Sequence, residues 1–280
     1  MPIVTRLLIA ATISAAAATG AGCIIHVHGE GHTWSSFKTD WDESIDPELV
    51  ARASVVRIVN EAGDIEVQRT DARPGLTAII RTEDEDRLYR VTIRQSLDDG
   101  VLVIEPDWDG RRRSNESCDL WVRLPNIDRV ELRSTAGDLE LVGFEADASL
   151  DSGAGDIEVR DHTGTLEMDT SAGSVEVERA SGPIAASSSA GDIELEHIGW
   201  PVEISTAAGD IEVSFLPDFD GTLELSTAAG SIEIDGEELR SGFGPSRSSE
   251  MSMGLAEHRS TLKTAAGDIE VSFSGPHPDR

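Results

Sequence analysis

Apolar and polar residues alternate from Val130 to Ile234 with a fixed beat. Taken nine at a time, the chain reads VELRSTAGD, LELVGFEAD, ASLDSGAGD, IEVRDHTGT, LEMDTSAGS, VEVERASGP, IAASSSAGD, IELEHIGWP and VEISTAAGD. Each unit opens apolar–polar–apolar. Two side chains then point one way and the one between them the other, which marks a strand with one buried face. Ala-Gly-Asp or Ala-Gly-Ser closes every second unit, at Gly137, Gly155, Gly173, Gly191 and Gly209, then at Gly230 and Gly267. The first four intervals are 18 residues, the next is 21 and the last 37.

Two strands per 18-residue period predict an all-β fold, a parallel β-solenoid with two strands per coil. Its hand is expected to be right, the usual sense of a crossover between parallel strands. One coil buries too few apolar side chains to offset the ordering of its own backbone, so coils must stack. The predicted inner columns are Val130, Ala148, Leu166, Ile184, Val202 and Leu223, with Leu132, Leu150, Met168, Ala186, Ile204 and Leu225. The facing sheet supplies Leu139, Ile157, Val175, Ile193, Ile211 and Ile232, with Leu141, Val159, Val177, Leu195, Val213 and Ile234. The repeated glycine is expected to serve a short turn that needs a positive φ. The column Ser134, Ser152, Thr170, Ser188, Thr206, Thr227 and Thr264 reads as hydrogen-bonding rungs at that turn.

The flanks are less regular. Residues 1–22 have the form of an export signal, with Arg6 before an apolar, Ala-rich run. Residues 23–53 read as an anchor and flexible tether. His26 and His28 would share a face if extended, and a polar spacer is the simpler reading, because no further ligand completes a metal site. Residues 54–128 hold strand-like runs without the nine-residue step, among them a first Ala-Gly-Asp at Gly63. The 74 residues from Gly63 to Gly137 approximate four coils, so irregular coils in series are expected there, with a small antiparallel cap as the alternative. The regular solenoid is assigned to 129–234, and 235–258 reads as a mobile loop. Residues 259–280 are expected to form a terminal coil and tail, with Gly275, Pro276 and Pro278 blunting the last edge.

Charge narrows the partners. Twenty-three basic residues against 53 acidic ones give −30, which repels nucleic acid and anionic lipid. Two cysteines make no disulfide framework. Cys23 follows Gly20-Ala21-Gly22 in a pattern that resembles the bacterial lipobox, although Gly20 stands where that pattern usually has Leu. Lipidation at Cys23 would leave Cys118 a lone buried thiol; a Cys23–Cys118 disulfide is the competing reading. Arg111-Arg112-Arg113, the only basic cluster, is expected in a solvated loop.

The segments Val59-Asn60-Glu61-Ala62-Gly63-Asp64-Ile65-Glu66-Val67 and Leu120-Trp121-Val122-Arg123-Leu124-Pro125-Asn126, together with the serial Thr-Ala-Ala-Gly-Asp-Ile-Glu-Val units, carry a resemblance. Over residues 50–273 the chain resembles a large bacterial family known as putative adhesins, built on a domain of unknown function. The resemblance implies a right-handed β-solenoid at the cell surface or in the periplasm and brings no catalytic residues with it.

Candidate chemistry rests on outward carboxylates. Glu140, Glu158, Glu176, Glu194, Glu212, Glu233 and Glu270 should form one ladder, and Asp138, Asp156, Asp192, Asp210 and Asp268 another. Ca²⁺ could bridge such rungs, with Asp156, Glu158, Asp192, Glu194, Asp210 and Glu212 as the candidate ligands. The single Gly-Asp in alternate units departs from the Gly-Gly-x-Gly-x-Asp spacing of calcium-binding β-rolls, so no cofactor is expected and a solvated acidic face is the simpler reading. Parallel β-helices that cleave acidic polysaccharides pair carboxylates with cations on one face; here Arg133, Arg160 and Arg179 sit at strand ends, and His162, His197 and His258 read as scattered surface residues. No nucleophile, phosphate-loop or zinc motif appears. The expectation is therefore a non-catalytic, exported, lipid-anchored envelope protein, periplasmic or at the cell surface, with adhesin-like or scaffold-like binding to a glycan or protein. An envelope-stress accessory protein acting through a membrane partner is the alternative, and a carbohydrate-active enzyme the third reading.

Overall fold

The computed structural model describes residues 24–28, 37–43, 45–217, 219–238, 247–253 and 258–273. The export signal, Cys23 and the Gly275–Pro278 tail lie outside them. Two long sheets face each other, one of 13 strands and one of 11, and their central strands run parallel. Each regular coil gives one strand to each sheet. Asp147–Ser152 and Ile157–Thr163 form one coil; Leu166–Thr170 and Val175–Ser181 form the next. Equivalent residues 18 positions apart pair in register, Ile157 with Val175 and Leu150 with Met168. All the predicted inner residues are buried except Ile234, which is partly covered. The architecture is all-β and solenoid-like.

The order of coils in the stack departs from the order in the chain at both ends. Val55–Asn60 pairs with Arg129–Ser134, and Ile65–Arg69 with Leu139–Val142. Gly63 and Gly137 therefore belong to adjacent coils, and the 74 residues between them are an excursion rather than four coils in series. The excursion builds a cap. Val101–Asp107 and Ser117–Leu124 continue the two parallel sheets, and Thr92–Asp98 and Gly75–Thr82 then pair antiparallel with them. The 13-stranded sheet extends further, through Phe37–Glu43 and Ile24–His28, where a flexible tether was expected. A short helix, Pro47–Arg52, follows, capped by the Asp46 carboxylate, which accepts the Glu48 amide at 2.9 Å.

At the other end His258–Ala266 and Ile269–Phe273 slip between the 202–215 coil and the 221–234 coil. The inner column thus runs Val202, Ser260, Leu223, not Val202 directly to Leu223; the Ser260 hydroxyl accepts the Val202 amide at 3.2 Å. Sequence complementarity favours the insertion. Ile269–Phe273 repeats the IEVSF of Ile211–Phe215, which seats Phe273 on Phe215 with ring centroids 5.7 Å apart. The displaced coil becomes the end of the stack. The segment expected as a mobile loop covers it: Arg247–Met253 pairs antiparallel with Gly221–Thr227, and Glu237–Glu238 with the 232–234 strand. Antiparallel strands thus cover the parallel stack at both ends, shielding it from pairing with other chains.

The arginine run lies in a largely exposed loop, as expected, and that loop also ties the N-terminal cap together. The Glu116 side chain is fully buried and held by the Arg87 guanidinium, by Thr82 Oγ1 at 3.3 Å and by the Arg113 amide at 2.7 Å. Arg112 donates to the Glu116 carbonyl at 2.7 Å, and Arg113 pairs with Asp84 at 3.2 Å.

Candidate functional site

The recurrent turn explains much of the polar pattern. Each Ser or Thr of the predicted column is buried and donates to the glycine carbonyl of the preceding coil in the stack: Ser152 to Gly137, Thr170 to Gly155 and Thr264 to Gly209, all at 3.0 Å. Asn60 occupies the same position in the first coil and donates to Gly63 at 3.0 Å and to the Cys118 carbonyl at 2.6 Å. The rungs therefore tie coil to coil. The glycine is required for a reason the sequence did not show. Gly155 has φ +152, but at Gly173 φ lies outside the left-handed range, and there an added Cβ would collide with the Gly155 carbonyl.

The turn aspartates form a second tie. The Asp138 carboxylate accepts the Asp156 amide at 2.8 Å, Asp156 accepts Ser174 at 2.7 Å, Asp192 accepts Asp210 at 2.8 Å and Asp210 accepts Asp268 at 2.7 Å. Asp268 accepts both the amide and the hydroxyl of Ser231, and these two bonds hold its carboxyl below the usual range. Of the predicted calcium ligands, Asp156, Asp192 and Asp210 thus have an oxygen committed to the backbone.

The glutamates stand in one row across the outer face of the larger sheet. Their order is Glu66, Glu140, Glu158, Glu176, Glu194, Glu212, Glu270, Glu233. Glu66 extends the ladder one coil further than the nonapeptide pattern indicated. At about 4.8 Å per rung, neighbouring charges repel by about 1 kcal/mol in water-like surroundings. Each strand's two buried aliphatic side chains contribute about 1.5–3 kcal/mol apiece, so the sheet tolerates the row. Part of it is neutralised. Arg160 pairs with Glu140 at 2.6 Å and with Glu158, and lies 3.9 Å from Glu178. Further along, burial and then the charges of Glu212, Glu176 and Glu196 push the Glu194 carboxyl up. Among the described residues no group of three or more His, Cys, Asp or Glu side chains could hold a metal ion, and no helix is long and apolar enough to cross a membrane.

A second feature lies where the strands of this sheet end and the chain turns toward the other. His162, expected on the surface, is 2 % exposed. It pairs in register with Ala180, and one residue before it in the chain Asp161 has φ 55. Arg179 and His197 repeat that left-handed backbone, φ 57 and 56, in the next two coils, and Gly143 (φ 82) precedes them. Arg179 grips Asp161 at 2.7 and 3.2 Å and holds its carboxyl below the usual range. Neither nitrogen of His162 has a hydrogen-bond partner. Burial pushes the imidazole down; the Thr165 backbone and the Asp147 carboxylate pull less strongly the other way. The 18-residue period hinted at it, because the same place holds Phe144, Ala180 and Ile198 in other coils, all buried. Cys118 is buried as a free thiol, and burial raises it well above its ordinary value.

Several comparisons bear on kinship. No curated protein matches the chain. Solved structures with a similar arrangement include a putative adhesin from Bacteroides fragilis NCTC 9343, at 13% identity and TM-score 0.40 over 84% of this chain and 96% of that one. A putative lipid binding protein from Parabacteroides distasonis ATCC 8503 gives 12% and 0.43 over 84% and 97%. A putative cell adhesion protein from Clostridium sporogenes ATCC 15579 gives 10% and 0.35 over 85% and 100%. The family model described as Toastrack DUF4097 matches residues 52–272, from the end of the short helix into the inserted Ile269–Phe273 strand, and the chain belongs to that family.

Proposed function

We propose that this is a non-catalytic, exported surface protein whose stacked β-coils, wound right-handed, present binding surfaces in adhesin-like or scaffold-like fashion. The observation that carries the reading is how the carboxylates are used. The turn aspartates cap amides of the next coil, and the glutamates repeat as rungs on an open sheet face, paired with Arg160 at one end and with Glu194 pushed up further along. General acid–base chemistry needs two carboxylates driven to different pKa values in one enclosing cleft, and a row spread across an outer sheet face does not supply that enclosure. Export and a lipid anchor at Cys23 belong to the same proposal, resting on the N-terminal sequence. The test is binding of the purified chain to cell surfaces and to immobilised glycans, with product analysis in parallel. Retention without turnover supports the reading; release of cleaved sugar refutes it.

A further inference from the structure

The chain enters the fold at the N-terminal cap, directly after the anchor position. Strand Ile24–His28 follows Cys23 with no residue between them. It pairs antiparallel with Phe37–Glu43, that strand with Gly75–Thr82, and that one with Ser117–Leu124. Register sets Ile24 against Asp42, Glu43 against Leu76 and Gly75 against Arg123. Ile24 thus lies in line with the end of Ser117–Leu124, at the corner where the chain leaves the 13-stranded sheet for the other. An anchor at Cys23 would hold this corner of the cap, rather than the far end of the stack, against a bilayer.

The surface there suits that contact. A groove of about 400 Å³ is lined by Pro47, Val50, Ala51, Pro74, Pro125 and Ile127, and its polar side chains are Asn126 and Asp128. The three prolines bring no backbone N–H that departing water would strand. Pro47 and Ala51 are exposed on the short helix. Arg52, Arg73 and Arg123 each lie one or two residues from a groove residue; all three are exposed, and none has an ion-pair partner among the described residues. Arg69 adds a guanidinium shared between Asp71 at 3.7 Å and Glu145 at 3.3 Å. Against these stand Asp46, whose carboxylate accepts the Glu48 amide, Glu48 itself and Asp128. Cations and anions nearly balance at this corner, while the whole chain carries −30. Anionic lipid repels the glutamate row and so favours coils that rise away from the bilayer. Unpaired guanidiniums on long apolar stems are fitted to lie along a lipid surface and meet its phosphates.

We propose that the corner formed by the Pro47–Arg52 helix, Pro74 and Pro125 rests on the membrane surface that holds Cys23, with Arg52, Arg73 and Arg123 on lipid phosphates and the stack standing upright. This rests on the lipid-anchor reading. The 11-stranded sheet spans ten spacings of about 4.8 Å, so Ser248 on its last strand stands about 50 Å from Thr92–Asp98 at the cap. The test uses the mature lipidated chain in vesicles of phosphatidylethanolamine and phosphatidylglycerol, with a thiol-reactive fluorophore at Ala51→Cys or at Ser248→Cys; Cys118 is buried and stays unlabelled. A nitroxide on the lipid headgroups should remove about half of the emission at 51 and none at 248. Adding Arg52→Glu, Arg73→Glu and Arg123→Glu should restore the emission at 51 and leave the chain in the membrane fraction. Equal quenching at both positions, none at 51 in a chain that stays with the vesicles, or quenching at 51 that the triple variant leaves unchanged overturns the proposal and leaves the anchor standing. A chain that never enters the membrane fraction, or that stays there as Cys23→Ser, overturns the anchor and the proposal with it. A label at 51 shielded from iodide in the Cys23→Ser chain without vesicles assigns the corner to a second copy, and that too overturns the proposal.

Discussion

Replacing Gly173 with alanine separates two explanations of the repeated glycine. If turn conformation selects it, alanine is acceptable, because φ at Gly173 is outside the left-handed range. If coil stacking selects it, alanine is excluded. Its Cβ would lie 3.1 Å from the Asp156 amide nitrogen and closer still to the Gly155 carbonyl, both in the preceding coil's backbone. Relief requires the two coils to part locally, against the Gly155 amide's 3.1 Å bond to the Ala172 carbonyl and the Thr170 hydroxyl's 3.0 Å bond to the Gly155 carbonyl. Overpacking of this kind costs about 1–3 kcal/mol, and a weakened rung adds about 1 kcal/mol. Alanine's stiffer unfolded chain returns about 0.4–1 kcal/mol. The expected net loss is about 2–3 kcal/mol, read as a lower urea midpoint by circular dichroism. Gly75→Ala is the control: φ there is also outside the left-handed range, and the Cβ would meet only the Arg123 side chain, at 3.3 Å. It should stay within about 0.5 kcal/mol of the wild type. Gly173→Ala matching that control would refute the stacking explanation.

Four further outcomes are expected. Asp156→Ala should lower stability by about 1 kcal/mol through loss of the Ser174 amide's acceptor, and Asp156→Asn should recover most of it; calcium should leave the melting temperature of the wild type where a chelator leaves it, and a rise with calcium would show cations bridging the ladder. Arg87→Met should cost about 3–5 kcal/mol at neutral pH by stranding the buried Glu116. Burial raises that carboxyl, but Arg87 and the Arg113 amide more than reverse it, so its contribution is present above the unfolded pKa and lost as pH falls through the lower folded one; the Arg87→Met deficit, followed by urea titration, should shrink on acidification. His162 is held below its ordinary value, so above pH of about 6.5 it adds nothing to the pH dependence, and below it the unfolded chain takes up a proton the folded chain resists. His162→Phe should flatten the stability loss between neutral and mildly acidic pH.

The regular coils were legible because period and function of each position coincide: Ile157, Val175 and Ile193 must be apolar to be inside, and Glu158, Glu176 and Glu194 are free to be charged outside. The rungs of Ser and Thr were legible for the same reason. Coil order was not, because neighbours in a stack need only register, and register is blind to how much chain lies between them. Gly63 beside Gly137 and Ile269 between Ile211 and Ile232 are pairings over long excursions that no local spacing encodes. The corner at the strand ends was harder to read, for a different reason. His162 is turned inward by a left-handed residue before it, and Asp161, Arg179 and His197 are three unlike residues whose shared backbone leaves no common letter.

Coil order is also the most direct test of the whole account, through engineered disulfides in a chain whose own cysteines are replaced by serine at 23 and alanine at 118. Cysteines at Glu212 and Glu270 face each other on adjacent strands, within the about 4.4–6.8 Å Cα separation a disulfide needs, whereas Glu212 and Glu233 are separated by the inserted strand. The stack predicts that the 212–270 pair oxidises in the folded protein and the 212–233 pair does not; the reverse result would contradict it.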